Sequence, residues 1–242
     1  RPWIALLEKN VQFEHKIIDL SNKPPEFLDK YAEAVNTKAV NAKVPLLEHG
    51  DGLVVESDVV AKYIAQNIGR HHTEEEDGDD YDAMYPVADA EIRGRIDNFL
   101  ATWYPVVDSY YSYLCASSEL SAKSALLEFR ASLQLLEREL PEVKVDSSST
   151  NGNYFCLGNT FSVAECIAAP WIQRFYVTLP YFRGVDFEKD VLPPECTKVC
   201  RWANSVRARS SVVKSACPED EMLAAARRYY VSFVSPGAPG KL

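Results

Sequence analysis

Two short pairs of residues, separated by a predicted hairpin, are of the types that hold a peptide-like ligand. Val44-Pro45 opens the first strand, where a proline that donates no backbone hydrogen bond is tolerated. If this peptide bond is cis, the backbone N–H and C=O of Val44 can face outward and pair with an extended peptide. The sequence therefore offers a backbone clamp in front of the hairpin.

Glu56-Ser57 stands where the hairpin gives way to a helix. Free N–H groups and the helix dipole attract a carboxylate at such a position. The Ser57 hydroxyl adds a hydrogen-bond donor, and the Glu56 carboxylate can receive an ammonium group. Together they suit the zwitterionic end of an amino acid. The purely structural alternative, a strand-initial proline and an N-capping serine, stays open on these residues alone.

The elements around the hairpin indicate an α/β unit. Apolar residues at helical spacing between Trp3 and Val11 form a helix that begins without a capping residue. Phe13–Leu20 is predicted to be a parallel strand buried on both faces. Such a strand needs hydrogen-bonding neighbours on both edges. We therefore expect a further strand upstream of Arg1.

An acidic run marks the best domain boundary. Residues 74–80 are almost all Asp or Glu, which is typical of a solvated linker. The adjacent pair His71-His72 has no third ligand nearby, so no metal site is expected. The sequence predicts an α/β domain over residues 1–70, a linker over 71–84 and a helical domain over 85–242.

The second domain has the pattern of packed helices. Apolar residues recur at alternating spacings of three and four from Ile92 to Tyr110 and again from Leu126 to Leu140, which predicts two core-facing helices. Ser162–Glu165 reads SVAE, a capping box that starts another helix. Later helices are predicted at about Glu195–Arg207 and Pro218–Phe233.

Composition excludes several classes of partner. The net charge of −9 opposes a nucleic-acid surface, which needs clustered Lys and Arg. No apolar run approaches the roughly 18 residues that span a bilayer. The six cysteines lack zinc-ligand spacing, so we expect reduced, mostly buried thiols in a cytoplasmic protein.

The combination resembles the glutathione transferase family, and within it the omega-like class. The resemblance rests on Val44-Pro45, the hairpin, Glu56-Ser57 and the linker into a helical domain. In addition, RPWIALLEKNVQFEHKIIDL resembles the segment after the family's N-terminal active-site motif. SNKPPEFL, with Lys23, resembles an omega-class loop, although the stretch from Lys23 to Val44 is longer than is typical. GNTFSVAECIAAPWIQRF resembles the capping-box helix of the second domain, including Pro170.

The resemblance implies a thioredoxin-like N-terminal domain, its first strand upstream of Arg1, followed by an all-α domain. It implies glutathione as co-substrate and no metal. The γ-glutamyl end would meet Glu56-Ser57, and the cysteinyl backbone would pair with Val44 beside a cis Pro45. Lys23 would hold the glycine carboxylate; Lys43 is the weaker alternative because it is expected to be solvated.

The resemblance also implies a catalytic residue just before the position of Arg1, a Cys in omega-like members. No residue of this chain is nominated for that role. A co-substrate pocket is expected between the domains, and for Trp171 a place in the core is the alternative. The aromatic candidates for lining this pocket are Tyr104, Tyr111, Trp171 and Phe175.

Three functions follow as alternatives. The first is an omega-like enzyme that transfers or reduces thiols on mixed disulfides or dehydroascorbate-type oxidants, with some conjugating activity. The second is conjugation by a Ser- or Tyr-type transferase, and the third is a non-catalytic binding or assembly module. The expected partners are glutathione, a small electrophilic or disulfide substrate and a second copy of the chain, without nucleic acid or membrane.

Overall fold

The structure, a computed structural model, describes residues 1–38, 41–69, 84–142 and 153–229. A small α/β unit with two antiparallel strands precedes a helical domain. The elements of the first unit are α1 (Pro2–Glu8), α2 (Pro25–Val35), β1 (Leu46–His49), β2 (Gly52–Val55) and α3 (Ser57–Asn67). The helical domain contains α4 (Ala90–Leu114), α5 (Glu119–Glu139), α6 (Val163–Arg183), a π-helical turn (Phe187–Val191), α7 (Thr197–Ala208), α8 (Ser210–Lys214) and α9 (Glu219–Tyr229).

The predicted strand–turn–strand–helix sequence is confirmed. β1 and β2 pair antiparallel, with Leu46 opposite Val55 and His49 opposite Gly52. Gly50 turns the chain with a φ of +59°, a conformation that glycine adopts without steric cost. The Val44-Pro45 peptide bond is cis, as expected from the sequence. The hairpin therefore leads directly from Val44-Pro45 to the first residue of α3.

The predicted strand at Phe13–Leu20 is wrong. This segment forms no strand, and Ile17 is 88% exposed. A parallel strand needs a neighbouring strand to satisfy its backbone groups. In the part of the chain that the structure describes, the only sheet joins β1 to β2, so this segment has no strand to pair with.

The two apolar stripes predicted from the sequence form part of the core of the helical domain. α4 and α5 pack side by side, and their inward faces are buried. Removing such side chains from water stabilises the fold by about 1.5–3 kcal/mol each. The buried members of the two stripes are Ile96, Phe99, Trp103, Val106 and Tyr110 on α4, and Leu126, Phe129, Leu133, Leu136 and Leu140 on or next to α5.

The capping box at the start of α6 is confirmed and is fully buried. Glu165 accepts hydrogen bonds from the N–H of Ser162 at 2.8 Å and from its hydroxyl at 2.7 Å. Its other oxygen accepts from the N–H of Cys156 at 2.8 Å and from Nε1 of Trp202 on α7 at 3.1 Å. One carboxylate thus joins the chain before α6, the start of α6 and α7.

Two ion pairs connect the α/β unit to the helical domain. Arg209 donates to both carboxylate oxygens of Glu8, at 2.9 and 2.6 Å, and Ser211 also donates to Glu8. Lys62 on α3 contacts Asp97 on α4 at 2.7 Å. A bidentate Arg–carboxylate pair fixes orientation as well as distance, so α1 is held firmly against the start of α8.

Several predicted boundaries fall partly outside the described residues. The acidic linker, predicted over 71–84, lies there except for Met84, and so does the pair His71-His72. Helix α7 begins at Thr197 rather than near Glu195. Helix α9 ends at Tyr229, and the rest of its predicted extent follows the last described residue. No helix in the described ranges is long and apolar enough to cross a membrane.

We expect Glu165→Ala to destabilise the helical domain strongly. The substitution leaves two backbone N–H groups, one hydroxyl and one indole N–H without their buried acceptor. The expected loss is about 3–5 kcal/mol in the free energy of unfolding. Urea denaturation followed by circular dichroism measures it.

Glu128→Ala is the matched control, because Glu128 is an exposed residue of α5 and its loss should change stability by less than about 0.5 kcal/mol. Equal stabilities of the two variants would contradict the role of Glu165.

Candidate functional site

The N-terminus of α3 carries an unusual backbone conformation. Glu56, the residue before the helix, has φ +69° and ψ 120°, in a region that non-glycine residues rarely adopt. Such a conformation costs about 1–3 kcal/mol and persists where the surrounding structure holds it, often at functional sites. Glu56 is exposed and Ser57, the first residue of α3, is half-buried. The strained residue therefore directs the free N–H groups of α3 toward an accessible surface.

The hairpin register places Val44 near this helix end. The register ends with Leu46 opposite Val55, so Val44-Pro45 and the start of α3 adjoin the same end of the hairpin. Val44 is 46% exposed, and no hydrogen bond among the described residues uses its backbone groups. An exposed peptide and a helix N-terminus thus flank one end of the hairpin.

A hydrogen-bond network links this helix end to the helical domain. Nη1 of Arg1 donates to Oγ of Ser57 at 2.7 Å and also contacts the Asp58 carboxylate. The other oxygen of Asp58 accepts from the Tyr104 hydroxyl of α4 at 2.8 Å. Burial, and then the hydrogen bond to Asp58, raise the pKa of Tyr104. Tyr104 therefore remains a protonated donor at neutral pH.

Trp171 of α6 lies between two guanidinium groups. The Arg1 guanidinium is 5.0 Å from the Trp171 ring centre and that of Arg174 is 4.6 Å from it. Tyr111 meets the same ring edge-on at 5.5 Å. Cation–π contacts of this kind contribute about 0.5–2 kcal/mol each. They hold Arg1, from the α/β unit, against α6.

A cavity of about 250 Å³ adjoins this cluster. Helices α1, α4, α6 and α9 enclose it, so both domains contribute to its wall. Its lining is mostly apolar and aromatic, with two arginines and neither Asp nor Glu. The lining residues most relevant to ligand binding are Arg1, Trp3, Tyr111, Gln173, Arg174 and Cys217.

The four aromatic candidates have different positions. Tyr111 lines the cavity. Trp171 lies beside it, between the two guanidinium groups, whereas Tyr104 reaches Asp58 instead. Phe175 is only 1% exposed and packs against Tyr110, with ring centres 4.7 Å apart. Phe175 is therefore a core residue, because its turn of α6 faces α4 rather than the cavity.

The two lysine candidates contribute less to the observed geometry. Lys23 is half-buried in the loop before α2 and Lys43 is exposed.

Sequence reasoning missed Arg1, Asp58 and Arg174. Asp58 could have been identified from its position directly after Ser57. Arg174 could have been identified from its i, i+3 spacing from Trp171.

None of the cysteines has the environment of an activated nucleophile. All six lie at or after position 115, in the helical domain. Cys217 lines the cavity, but burial and the nearby carboxylates of Glu221 and Asp220 raise its pKa. A reactive cysteine needs a lowered pKa, because the thiolate is the nucleophile. Burial likewise raises the pKa of Cys115, Cys156, Cys166, Cys196 and Cys200.

Within the described ranges, no group of three or more His, Cys, Asp or Glu side chains is arranged to hold a metal ion. The polar groups that converge on the helix end instead suit an organic ligand. The N–H groups of α3, the Ser57 hydroxyl and the Arg1 guanidinium are donors for a carboxylate. The Glu56 side chain is an exposed acceptor for an ammonium group.

The chain is similar in sequence and in fold to known glutathione transferases. A probable rice glutathione S-transferase, DHAR1, cytosolic, is 25% identical over 225 residues, covering 93% of this chain and 85% of the relative. The omega 3C glutathione transferase of Trametes versicolor superposes with a TM-score of 0.65 at 20% identity, covering 90% of this chain and 83% of that one. Rice GST1, solved in complex with glutathione, gives a TM-score of 0.63 at 20% identity, with 95% and 92% coverage.

Two family models match the chain in succession. The glutathione S-transferase N-terminal domain matches residues 1–72, and the glutathione S-transferase C-terminal domain matches residues 90–202. Their order and extents correspond to the α/β unit and to the helical domain through the first half of α7. The chain therefore belongs to the glutathione S-transferase family.

Proposed function

We propose that this protein is an omega-like glutathione transferase that uses glutathione to reduce mixed disulfides or dehydroascorbate-type oxidants. The observation that supports the proposal is the hairpin, because Val44-Pro45 precedes its first strand and the N-terminus of α3 follows its second strand at the same end. That arrangement offers a peptide edge and an anion site within the reach of one tripeptide.

The proposed glutathione pose follows from the donors and acceptors present. The γ-glutamyl carboxylate accepts hydrogen bonds from the N–H groups of α3 and the Ser57 hydroxyl, and its ammonium group approaches Glu56. The cysteinyl backbone pairs with Val44, beside Pro45. Lys23, at the end of the loop before α2, holds the glycine carboxylate.

Two steps of thiol–disulfide exchange make up the proposed reaction. A protein thiolate attacks the glutathione sulfur of a glutathionylated substrate, the S–S bond breaks, and the substrate thiol leaves. A glutathione thiolate then attacks the protein–glutathione disulfide, forming oxidised glutathione and restoring the protein thiolate. None of the six cysteines here is nominated as that thiol, because they lie in the helical domain and have raised pKa values.

The cavity beside Arg1 is the proposed site for the second substrate. It adjoins the α3 N-terminus through Arg1, which lines it and also contacts Ser57. Arg174 faces it with no carboxylate partner among the described residues, and Tyr111 adds an aromatic wall. A mostly apolar wall with a few polar groups is typical of a small-molecule site.

Location and assembly complete the proposal. The name of the rice relative describes that protein as cytosolic, which supports a cytoplasmic location here. We propose a homodimer, as the family resemblance implies. Sedimentation analysis of the purified protein distinguishes a dimer from a monomer.

Substrate assays separate the three possible functions. We expect the full-length protein to reduce glutathionylated cysteine and dehydroascorbate with glutathione faster than it conjugates a chlorodinitrobenzene electrophile. Cys217→Ser should keep the rate within about twofold, because its high-pKa thiol is not the nucleophile. Conjugation without reduction would indicate a Ser- or Tyr-type transferase. Glutathione binding without either activity would indicate a binding module.

Ser57→Ala should weaken glutathione binding about tenfold, since a hydrogen bond to a charged group contributes about 1.5–3 kcal/mol. Isothermal titration calorimetry measures the dissociation constant. Ser124→Ala, an exposed position on α5, is the matched control and should leave the constant unchanged. Indistinguishable affinities of the Ser57→Ala variant and the unmodified protein would remove the carboxylate site from the proposal.

A further inference from the structure

The Ser57 hydroxyl already accepts one hydrogen bond in this structure. A serine hydroxyl has one proton to donate and two lone pairs that accept. The Arg1 guanidinium donates to Ser57 Oγ at 2.7 Å, so one lone pair is in use and the proton is not needed for that bond. Within the described residues, the competing acceptor for the proton is Oδ1 of Asp58, at the long distance of 3.4 Å.

Asp58 accepts the Ser57 proton only at a long distance, and two other donors reach it more closely. Its Oδ1 pairs with the Arg1 guanidinium, and its Oδ2 accepts from the Tyr104 hydroxyl at 2.8 Å. A carboxylate occupied in this way is a weaker acceptor for a third group. The Ser57 proton is therefore available to a ligand. Polarisation by the Arg1 donor also makes the hydroxyl a better donor.

The charges in this cluster also favour the binding of a ligand carboxylate at Ser57. A ligand carboxylate at Ser57 is attracted by Arg1 and by the helix dipole but repelled by Asp58. The Arg1 ion pair and the Tyr104 hydrogen bond both disperse the negative charge of Asp58. Without the tyrosine hydroxyl, one Asp58 oxygen loses its donor and more of its charge acts on the ligand.

We propose that Tyr104, on a helix of the second domain, is a positioning residue for the γ-glutamyl carboxylate of glutathione, acting through Asp58 and Arg1 on the Ser57 hydroxyl. This inference rests on the proposed function. It assigns Tyr104 to the glutathione site rather than to the second-substrate cavity. It also makes the glutathione affinity depend on how the two domains meet, because Tyr104 and Asp58 belong to different domains.

A purely structural role makes a different prediction. The Tyr104 side chain is at the surface, 39% exposed, and removal of its hydroxyl leaves the ring in place. A structural role would weaken all ligands of the site together. The proposed role weakens ligands that carry the γ-glutamyl carboxylate and spares ligands that lack it.

The experiment compares two ligands on the full-length protein by isothermal titration calorimetry. The first is glutathione, and the second is its analogue with 4-aminobutyryl in place of γ-glutamyl, which keeps the rest of the tripeptide. Tyr104→Phe should raise the dissociation constant for glutathione about three- to tenfold and that for the analogue by less than about 1.5-fold. Tyr63→Phe is the matched control, because Tyr63 lies on α3 but its hydroxyl contacts His49 on β1 at 3.0 Å. This control should change neither constant.

The outcomes are distinct. A glutathione-selective loss in Tyr104→Phe, at an unchanged melting temperature, supports the inference. Equal losses for both ligands, or none, overturn it while leaving the proposed function intact. If the unmodified protein binds neither ligand, the proposed function is wrong and the inference is overturned with it.

Discussion

The buried carboxylate of Glu165 is the interaction on which the rest of the structure depends. It accepts four hydrogen bonds and joins the start of α6 to the preceding chain and to Trp202 on α7. A buried carboxylate is tolerated only when its acceptor sites are filled. With the start of α6 fixed in this way, its outward turns carry Trp171 and Arg174 to the boundary with the α/β unit. The functional surface therefore depends on a capping interaction at the start of the same helix.

The candidate site lies at the boundary between the two domains, and both domains contribute residues to it. Glu8 of α1 is held by Arg209, and Arg1 of the same short segment is held by Asp58 and by the ring of Trp171. A seven-residue helix such as α1 is too short to be stable by itself. Its position is set by these polar contacts at both ends and by burial of its apolar face between them. A shift of α1 would consequently change both the cavity wall and the N-terminus of α3.

Local patterns in the sequence predicted the elements that depend on local interactions. The hairpin, the Ser162–Glu165 capping box and the two apolar stripes all follow from the residue types at fixed spacing, and the structure contains them. Phe13–Leu20 failed because strand formation depends on a partner elsewhere in the chain, which its own residues do not specify. Phe175 was misplaced for a related reason, since helical spacing does not reveal which face of a buried helix meets a cavity.

The contacts of Arg1, Asp58 and Tyr104 could not be read from the sequence, because they join positions 46 or more residues apart. Each has an ordinary interpretation as a surface residue. Their shared role depends on the packing of α4 and α6 against α1 and α3.

A crystal structure of the glutathione complex tests the central claim most directly. The account predicts that the γ-glutamyl carboxylate lies within hydrogen-bond distance of the Ser57 hydroxyl and backbone N–H, with the cysteinyl backbone paired to Val44. The cavity between α1, α4, α6 and α9 should remain free for the second substrate. Glutathione bound inside that cavity, with Val44 and Ser57 making no contact to it, would contradict the account.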